Sequence, residues 1–317
     1  MGVVHVVKPG MLTTIQDAGR WGFQSRGVPV AGPMDPYSHR VANALAGNTT
    51  DAATLEVTLL GPELEFDDER IVAIAGARFD VSIDGSPASM LEPFRTLPGS
   101  RLTFGRRVDG ARAYVAISGG IATPSVLGSR ATHLISAMGG VDGRALRAGD
   151  ALPLGRHDAR VKPQGPHVVR GSGPAPGDAS APVRVRVLPG PQVEYFAADA
   201  LVRLQSAPYI VSSKSDRMGF RLEGAVLPHA RGADITSDAT PLGVLQVPAS
   251  GLPILLMADR QTTGGYPKIA TVITADLAVA GQLGPGDALR FEVCSPREAM
   301  AALIRQERTL MALERRA

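Results

Sequence analysis

Short apolar runs separated by glycine, proline and aspartate recur along the whole chain. Several alternate between apolar and polar positions, as VRVRVLPG does from Val183 onward. A period of two residues is typical of β-strands, and regularly spaced short strands are typical of barrels or sandwiches. The pattern therefore predicts a mainly β protein. Further runs of this kind are VVHVV, TLEVTLL, RIVAIAG, PYIVSS, LPILLMAD, IATVITADL and ALRFEVC.

A few segments carry the signals of helices instead. Asp35 is a good N-cap and Pro36 suits the first helical position, so we predict a helix that stops at Gly47. We also predict a C-terminal helix over residues 296–317 and a shorter helix over residues 194–204. The C-terminal helix has an apolar side that could dock on a partner or pack on the protein's own barrel. This side carries Met300, Leu303, Ile304, Leu310 and Met311.

From about residue 157 to residue 182 the chain is rich in proline, glycine and serine, which is typical of a linker. We therefore predict a first β-barrel domain over residues 1–160, a linker over 161–182, a second β-barrel domain over 183–295, and then the C-terminal helix. Similar phrases on the two sides of the linker suggest two related barrels. LGPELEF resembles PGPQVEYF, and LRAGDALPLG resembles LGPGDALRF.

The composition is that of an ordinary soluble globular protein, with 44% hydrophobic and 20% charged residues among 317. The net charge is only +3 and aromatic residues make up 4%, so a nucleic-acid surface has little support. No apolar run is long enough to cross a membrane, and the N-terminus lacks the features of an export signal. The single cysteine, Cys294, excludes an internal disulfide. We expect a cytoplasmic protein that binds neither nucleic acid nor membrane.

Four segments carry more polar chemistry than β-turns require. DRQTTGGYPK, residues 259–268, combines an acid, an amide, hydroxyls and a lysine around a Gly-Gly pair that permits close backbone approach. Turn formation explains any one segment better, but the four together favour a shared pocket for a small amide or carboxylate. The segments are 13–35, 212–220, 237–251 and 259–268. Their candidate residues are Thr14, Gln16, Asp17, Arg20, Asp35, Lys214, Asp216, Arg217, Gln246, Asp259, Gln261, Thr263, Gly264, Gly265, Tyr266 and Lys268.

Lysine is rare in this chain, and its positions single out two of the polar segments. The sequence contains only Lys8, Lys162, Lys214 and Lys268 and uses arginine elsewhere. An ammonium group is a compact donor that a planar guanidinium does not replace. Lys214 and Lys268 lie in the second and fourth polar segments, which favours a functional role for them.

Several familiar signatures are absent from the sequence. It contains no G-x-x-x-x-G-K-[ST] phosphate loop and no G-x-S-x-G nucleophile elbow. Its six histidines show no metal-ligand spacing, and no Ala-Met-Lys-Met phrase could carry biotin. The residues alone therefore indicate a small-molecule site on a tandem β protein.

Three long segments resemble the signatures of a known family: TIQDAGRWGFQSRGVPVAGPMD, SSKSDRMGFRLEG and DRQTTGGYPKIATVITADL. The chain resembles the KipA family, also called the 5-oxoprolinase C subunit (PxpC) family, biotin-dependent carboxyltransferase family protein or allophanate hydrolase subunit 2. The resemblance extends over nearly the whole length. It implies two tandem cyclophilin-like β-barrel domains, which agrees with the strand pattern.

The resemblance implies the C subunit of a bacterial 5-oxoprolinase, which cleaves 5-oxoproline to L-glutamate with ATP and is active only in complex. The implied partners are a KipI-like protein, which is the B subunit, and a LamB/YcsF-like protein, which is the A subunit. The implied cofactor is ATP, with or without Mg²⁺. One alternative is the carboxyltransferase part of a split urea carboxylase, which would need a separate biotin carrier. A non-enzymatic alternative is a KipA-like antagonist that binds a KipI-like kinase inhibitor.

For the 5-oxoprolinase we hypothesise that the lactam oxygen attacks the γ-phosphoryl group of ATP, and that water then opens the activated imidate. Catalysis would consist mainly of positioning and charge stabilisation. Replacement of Lys268 or Arg217 by alanine is expected to leave folding intact and to abolish activity. The candidates for neutralising phosphate or the substrate carboxylate are Arg20, Arg217 and Lys268. Those for binding the lactam N–H and C=O are Gln16, Gln246 and Gln261, and those for bases or metal-holding groups are Asp17, Asp216 and Asp259.

Overall fold

Strand alternation places one face of each strand in a core, and two such cores form in this chain. The computed structural model describes residues 2–157 and 181–314. Within these, the first unit consists of residues 2–20, 31–157 and 308–314, and the second of residues 21–30 and 181–307. The predicted linker over residues 161–182 lies outside the described residues except for its last two.

The two units differ from the predicted domains at two places. Trp21–Val30 belongs to the second unit, although the prediction placed it in the first domain. Residues 308–314 of the C-terminal helix belong to the first unit. Strand periodicity could not show either assignment, because residues 21–30 form no strand and a helix pattern does not reveal which core the helix joins.

The first unit is built on one antiparallel sheet. Its nine strands in the described residues are β1 (Val3–Lys8), β2 (Leu12–Gln16), β3 (Thr54–Thr58), β4 (Glu63–Phe66), β5 (Arg70–Ile83), β6 (Ser86–Ala88), β7 (Phe94–Thr96), β8 (Arg101–Ile117) and β9 (Ala151–Pro153). Pairing follows the order β2-β3-β8-β4-β1-β9, and β5 joins β8 while carrying β6 and β7. Apolar residues such as Val4, Leu55, Ile74 and Val115 are fully buried in its core.

Helix α1 (Pro36–Leu45) begins and ends as predicted. The Asp35 carboxylate accepts a hydrogen bond from the backbone N–H of Ser38 at 2.9 Å, and Gly47 follows the helix with a φ of 72°. This cap satisfies one of the backbone donors that the first helical turn leaves unpaired. Leu45 lies in a buried cluster with Tyr114 of β8, so the helix covers one face of the sheet.

The second unit contains a closed barrel. Its strands in the described residues are β10 (Val183–Pro189), β11 (Tyr209–Val211), β12 (Gly219–Glu223), β13 (Asp238–Ala239), β14 (Val244–Gln246), β15 (Ile254–Leu256), β16 (Thr263–Gly264), β17 (Lys268–Val272) and β18 (Ala288–Val293). Seven strands close in the order β10-β17-β14-β15-β12-β11-β18. Strands β13 and β16 form a separate two-stranded sheet, which we call the ribbon. The alternation of VRVRVLP is as predicted, since Val185 and Val187 are fully buried.

Three further helices follow in the described residues: α2 (Ala200–Ser206) and α3 (Leu277–Gly281), which are short, and α4 (Pro296–Glu314), whose last residues, 308–314, belong to the first unit. The second unit also has 3-10 turns at Gln24–Arg26, Val193–Tyr195 and Thr274–Asp276. The predicted helix over residues 194–204 is therefore a 3-10 turn followed by α2. No described helix is both long and apolar enough to cross a membrane.

The prediction of a mainly β protein with a few short helices and a C-terminal helix is confirmed. The second unit is a closed barrel, whereas in the first unit the strand pairing runs from β2 to β9 without closing. The last residues of α4 belong to the first unit, where Leu310 and Leu313 lie in a buried cluster and Glu314 pairs with Arg40 at 2.9 Å. Met300 and Ile304 on the same helix are exposed.

One of the two predicted repeats is present in the structure and the other is not. In LRAGDALPLG and LGPGDALRF the same turn precedes a strand: Asp150 N–H donates to Arg147 O, and Asp287 N–H donates to Gly284 O. The glycine before each aspartate has a φ of 90°. By contrast, LGPELEF forms β4 while PGPQVEYF forms a 3-10 turn, so that correspondence is wrong.

Candidate functional site

Lys268 and Gln246 face each other in the wall of the barrel. Lys268 opens β17 and lies directly opposite Gln246 of β14. Opposed residues of antiparallel strands project to the same side of a sheet, so the ammonium and the amide share one surface. The register shifts between Leu245 and Gln246, and such bulges re-aim side chains. Both side chains are buried.

The ribbon supplies the counter-ion of Lys268. Lys268 Nζ donates to Asp238 Oδ2 at 2.8 Å, and 1% of the lysine side chain is exposed against 53% of the aspartate side chain. The hydrogen bond from Lys268 is the main cause that lowers the pKa of Asp238, and a second bond from the Ala239 N–H acts in the same direction. The charge of the buried ammonium is therefore balanced by a carboxylate that is about half exposed to solvent.

Two glutamine amides lie beside the ribbon. Gln261 Nε2 donates to Gln246 Oε1 at 3.3 Å, and Gln246 Nε2 donates to the carbonyl of Tyr266 at 3.4 Å. A Cβ at Gly264 would lie 2.5 Å from Gln246 Nε2, so a side chain at this position would require the Gln246 amide to move. The Gly-Gly pair was predicted to permit close approach of the backbone to a small molecule. In the structure, Gly264 lies close to the side-chain amide of Gln246 instead.

Arg260 and Thr240 link the two chain segments next to the ribbon. Arg260 Nε donates to the carbonyl of Thr240 at 2.8 Å, and the Thr240 hydroxyl donates to the carbonyl of Gln261. Burial lowers the pKa of Arg260 to about 10, and the neighbouring charge of Asp259 opposes this shift. These contacts join Thr240, which follows β13, to residues 260–261, which precede β16. They therefore hold the two strands of the ribbon together at one end.

The candidates Arg217 and Asp259 bind each other. Arg217 Nε donates to Asp259 Oδ2 at 3.0 Å and Nη2 donates to Oδ1 at 3.1 Å, with side-chain exposures of 5% and 2%. The backbone N–H of Asp259 also donates to the carbonyl of Arg217 at 2.8 Å. Asp216 accepts from the N–H of Met218 at 2.8 Å, as a turn carboxylate does, and Lys214 is exposed. This geometry favours a structural role for the Arg217–Asp259 pair.

In the first unit, Gln16 is held between two threonines. Its Nε2 donates to the hydroxyl of Thr14 at 3.0 Å and to the carbonyl of Thr132 at 3.1 Å, and both threonines are buried. Because a carbonyl only accepts, this contact fixes the orientation of the amide. Gln16 Oε1 and the Thr132 hydroxyl have no hydrogen-bond partner among the described residues.

The charged candidates of the first unit hold loop backbone. Asp17 accepts from the N–H of Gly19 at 3.0 Å, from the hydroxyl of Ser129 at 2.6 Å and from the N–H of Arg130. Arg20 is buried, and it donates to the carbonyls of residues 126 and 131, each at 2.9 Å. Asp35 caps α1, as described above. Each of these side chains therefore stabilises a loop or a helix end of the fold.

A buried polar chain in the first unit was not predicted from the sequence. Tyr114 donates to Glu56 Oε2 at 2.7 Å and accepts from the N–H of Asp35 at 2.8 Å. Burial raises the pKa of Tyr114 well above its ordinary value, and the negative charge of Glu56 adds to the shift. The Met34 N–H also donates to Glu56 Oε2, at 2.8 Å. Glu56 lies in β3 and Tyr114 in β8. A single polar residue in a mainly apolar strand does not stand out in the sequence.

The candidates therefore fall into two groups, one in each unit. The second unit brings together the Lys268 ammonium and the amides of Gln246 and Gln261, with Gly264 against them and Tyr266 and Thr263 exposed nearby. Gly265 makes no comparably close contact, since its Cβ would lie 3.4 Å from the nearest atom. The prediction of a single pocket shared by all four segments stays a prediction. Asp238, Thr240 and Arg260 were not singled out from the sequence, because an aspartate, a threonine and an arginine in loops look like turn residues.

Two surface depressions lie apart from the candidates. One, of about 240 Å³ in the first unit, is lined by Thr49, Asp51 and Arg130 beside Gly119 and Gly120. The other, of about 490 Å³ in the second unit, is lined by residues of β10 and β18, including the ion-paired Arg184 and Glu292. Neither contains a residue of the lysine–amide cluster, which is buried under the ribbon. Among residues 2–157 and 181–314, no group of three or more acidic, histidine or cysteine side chains could hold a metal ion.

Comparison with known proteins identifies the family. The family described as "Carboxyltransferase domain, subdomain A and B" matches residues 26–293. The chain belongs to this family. It is 37% identical to the C subunit of 5-oxoprolinase from Escherichia coli K12 over 308 residues, which is 96% of each chain. It is 35% identical to the C subunit of 5-oxoprolinase from Haemophilus influenzae over 288 residues, covering 90% of this chain and 89% of that protein.

A solved structure places the same fold within a larger enzyme. The K. lactis urea amidolyase superposes with a TM-score of 0.88 at 30% identity over 98% of this chain. The match covers 20% of that enzyme, so the chain spans about a fifth of its length. This carboxyltransferase-family chain is therefore similar both to proteins named as subunits and to one part of a much longer protein.

Proposed function

We propose that the chain is the C subunit of an ATP-dependent 5-oxoprolinase. It acts with a KipI-like protein and a LamB/YcsF-like protein, the other two subunits, to cleave 5-oxoproline to L-glutamate. The observation that carries this proposal is the identity to the E. coli 5-oxoprolinase protein along nearly the full length of both chains. Because the two proteins correspond from end to end, the similarity supports a common role within a multi-protein enzyme.

The lysine–amide cluster fits this substrate in chemical class. 5-Oxoproline carries one carboxylate and one cyclic amide. An ammonium binds a carboxylate through a charge-assisted hydrogen bond, which Lys268 would supply. A glutamine side chain offers both a donor and an acceptor, so Gln246 and Gln261 match the lactam C=O and N–H. The side chains of Lys268 and Gln246 are buried, and a low-dielectric surrounding strengthens such contacts.

The same residues do not fit a triphosphate. The two buried cations of the second unit that we considered for anion binding, Lys268 and Arg217, each already contact a carboxylate at hydrogen-bond distance. A triphosphate would add several negative charges where these carboxylates already balance the cations. We therefore derive no step through ATP on this chain, and in the complex we propose that this chain positions the lactam.

Reconstitution tests the proposal. This chain would be mixed with its KipI-like and LamB/YcsF-like partners, and glutamate release from 5-oxoproline would be measured with ATP present. Omission of each protein in turn is the control. Glutamate that forms only with all three proteins supports the proposal, and an assembled complex that forms none contradicts it.

The carboxyltransferase part of a split urea carboxylase is the second candidate. It is favoured by the structural similarity to the K. lactis urea amidolyase over nearly the whole of this chain. Urea is neutral, so its binding would need the two amides but not the ammonium of Lys268. Carboxyl transfer to urea from a separate carboxybiotin carrier, without glutamate formation, would favour this candidate.

A further inference from the structure

The ribbon contacts the lysine–amide cluster at two points. Strand pairing joins Asp238 to Gly264 and Ala239 to Thr263, and these four residues form no ladder with the barrel. From the ribbon, Asp238 contacts Lys268 and Gly264 lies against Gln246. Lys268 and Gln246 are almost completely buried, so a ligand that contacts them must displace groups that now lie against them. Asp238 and Gly264 are two of these groups.

The two partners of the ion pair respond differently to separation. The Lys268 ammonium lies in the barrel wall with 1% of its side chain exposed, and it loses this counter-charge if Asp238 leaves. A buried charge without a partner is costly, so another anion must replace the carboxylate. Asp238 is 53% exposed and becomes hydrated where it stands. An incoming carboxylate can therefore exchange with Asp238 at small cost.

We propose that Asp238 is a built-in substitute for the substrate carboxylate, which displaces it from Lys268 when 5-oxoproline binds beneath the ribbon. This inference rests on the proposed function and adds the residue that controls access and selectivity. Asp238 is a positioning residue that acts through Lys268. In the resting protein it neutralises the ammonium and keeps the cluster closed. A ligand must carry a carboxylate to replace it, so neutral lactams are disfavoured.

Selectivity follows from the competition. A neutral lactam such as 2-pyrrolidinone offers the amide but no anion, so Lys268 keeps Asp238 and the ribbon contact persists. With 5-oxoproline the ion pair with Lys268 is exchanged and not lost. The apparent affinity of the protein for the carboxylate ligand is reduced by the fraction of molecules in which Asp238 occupies Lys268. Removal of the Asp238 charge lifts that reduction.

The test is ligand binding by the assembled complex without ATP, measured by calorimetry with 5-oxoproline and 2-pyrrolidinone. The variant is Asp238→Asn, which keeps the size of the side chain and removes its charge. Asp234→Asn is the matched control, because Asp234 is an exposed carboxylate in the same loop and Lys268 pairs with Asp238 instead. Asp238→Asn removes the competing carboxylate from Lys268, so it should lower the Kd for 5-oxoproline about tenfold. The Kd for 2-pyrrolidinone should fall much less, because the neutral lactam gains access to the cluster but no ion pair with Lys268. Both values should stay unchanged for Asp234→Asn.

A second measurement follows Lys268 directly. The chain has only four lysines, so selective ¹⁵N-lysine labelling gives a small set of ammonium signals. In Asp238→Asn the Lys268 signal should shift, and 5-oxoproline should return it toward its wild-type position while 2-pyrrolidinone should not. If the Kd for 5-oxoproline is unchanged or higher in Asp238→Asn, or if both ligands gain equally, the exchange is refuted.

The proposed function and the exchange can fail separately. Binding that follows the predicted selectivity, in a complex that releases no glutamate, refutes the 5-oxoprolinase proposal and supports the exchange. Glutamate release with no effect of Asp238→Asn on the Kd or on KM supports the function and refutes the exchange. Unfolding in urea checks that Asp238→Asn is folded, and Asp238→Ser serves as a second variant that also removes the charge.

Discussion

Arg217 and Asp259 form a bidentate ion pair at 3.0 and 3.1 Å in which neither side chain exposes more than 5% of its surface. Loss of the guanidinium removes two charge-assisted hydrogen bonds from a buried carboxylate, which is costly. We predict that Arg217→Ala lowers the free energy of unfolding by about 3–5 kcal/mol. This geometry replaces the expectation from the sequence that the substitution leaves folding intact.

Urea unfolding of the single and double variants measures this effect. The double replacement Arg217→Met/Asp259→Leu should recover much of the lost stability, because an apolar pair of similar volume often substitutes for a buried ion pair. A stable Arg217→Ala protein that has lost only its activity would show that Arg217 acts on a ligand.

His39 makes stability depend on pH. Burial lowers the pKa of His39 from 6.5 to about 4, and its ring contacts Thr54 and Asn43. Because the unfolded chain binds the proton more tightly, stability is greatest above pH 6.5 and decreases as the pH falls toward 4. The loss by pH 4 is about 3 kcal/mol from this group alone.

The variant His39→Gln isolates that contribution. Urea unfolding between pH 7 and pH 4.5 should show a smaller decrease for His39→Gln than for the wild type. The control His5→Gln, at an exposed position in β1, should keep the wild-type slope. Equal slopes for the wild type and His39→Gln would show that the buried ring does not couple to pH.

Gly264 and Gly265 provide a matched pair for the ribbon. A Cβ at Gly264 would lie 2.5 Å from Gln246 Nε2, whereas one at Gly265 would lie 3.4 Å from its nearest atom. Gly264→Ala should displace the Gln246 amide, so it should weaken 5-oxoproline binding and lower the free energy of unfolding by about 1 kcal/mol, the low end of overpacking costs. Gly265→Ala should change stability by less than about 0.5 kcal/mol. Equal effects of the two substitutions would place the ribbon away from Gln246.

Local signals in the sequence predicted the elements of the fold well. Asp35, Pro36 and Gly47 define α1 because capping depends on adjacent residues. The alternation from Val183 predicts β10 because one face of that strand is buried. PGPQVEYF was misassigned, because a phrase shared with LGPELEF does not carry the tertiary contacts that make one segment a strand and the other a turn.

The site was predicted in part. Lys268, Gln246 and Gln261 were singled out by residue type, and the structure places their side chains together. Asp238 was not, since its role depends on pairing between residues 238–239 and 263–264, which are distant in sequence. Arg217 was predicted to neutralise an anion and Asp259 to act as a base or a metal-holding group, because a sequence shows two charges but not the bond between them.

The substitution Lys268→Met tests most directly whether Lys268 binds the substrate carboxylate. The substitution keeps the length of the side chain and leaves Asp238 half exposed, so stability should change by less than about 1.5 kcal/mol. Glutamate formation from 5-oxoproline by the assembly of all three proteins should fall about 100-fold, because the substrate carboxylate loses its charged partner. The control is Lys8→Met, which removes an ammonium whose side chain is 74% exposed in the first unit. An assembly that contains Lys268→Met, is as stable as predicted and forms glutamate at the wild-type rate would contradict the account.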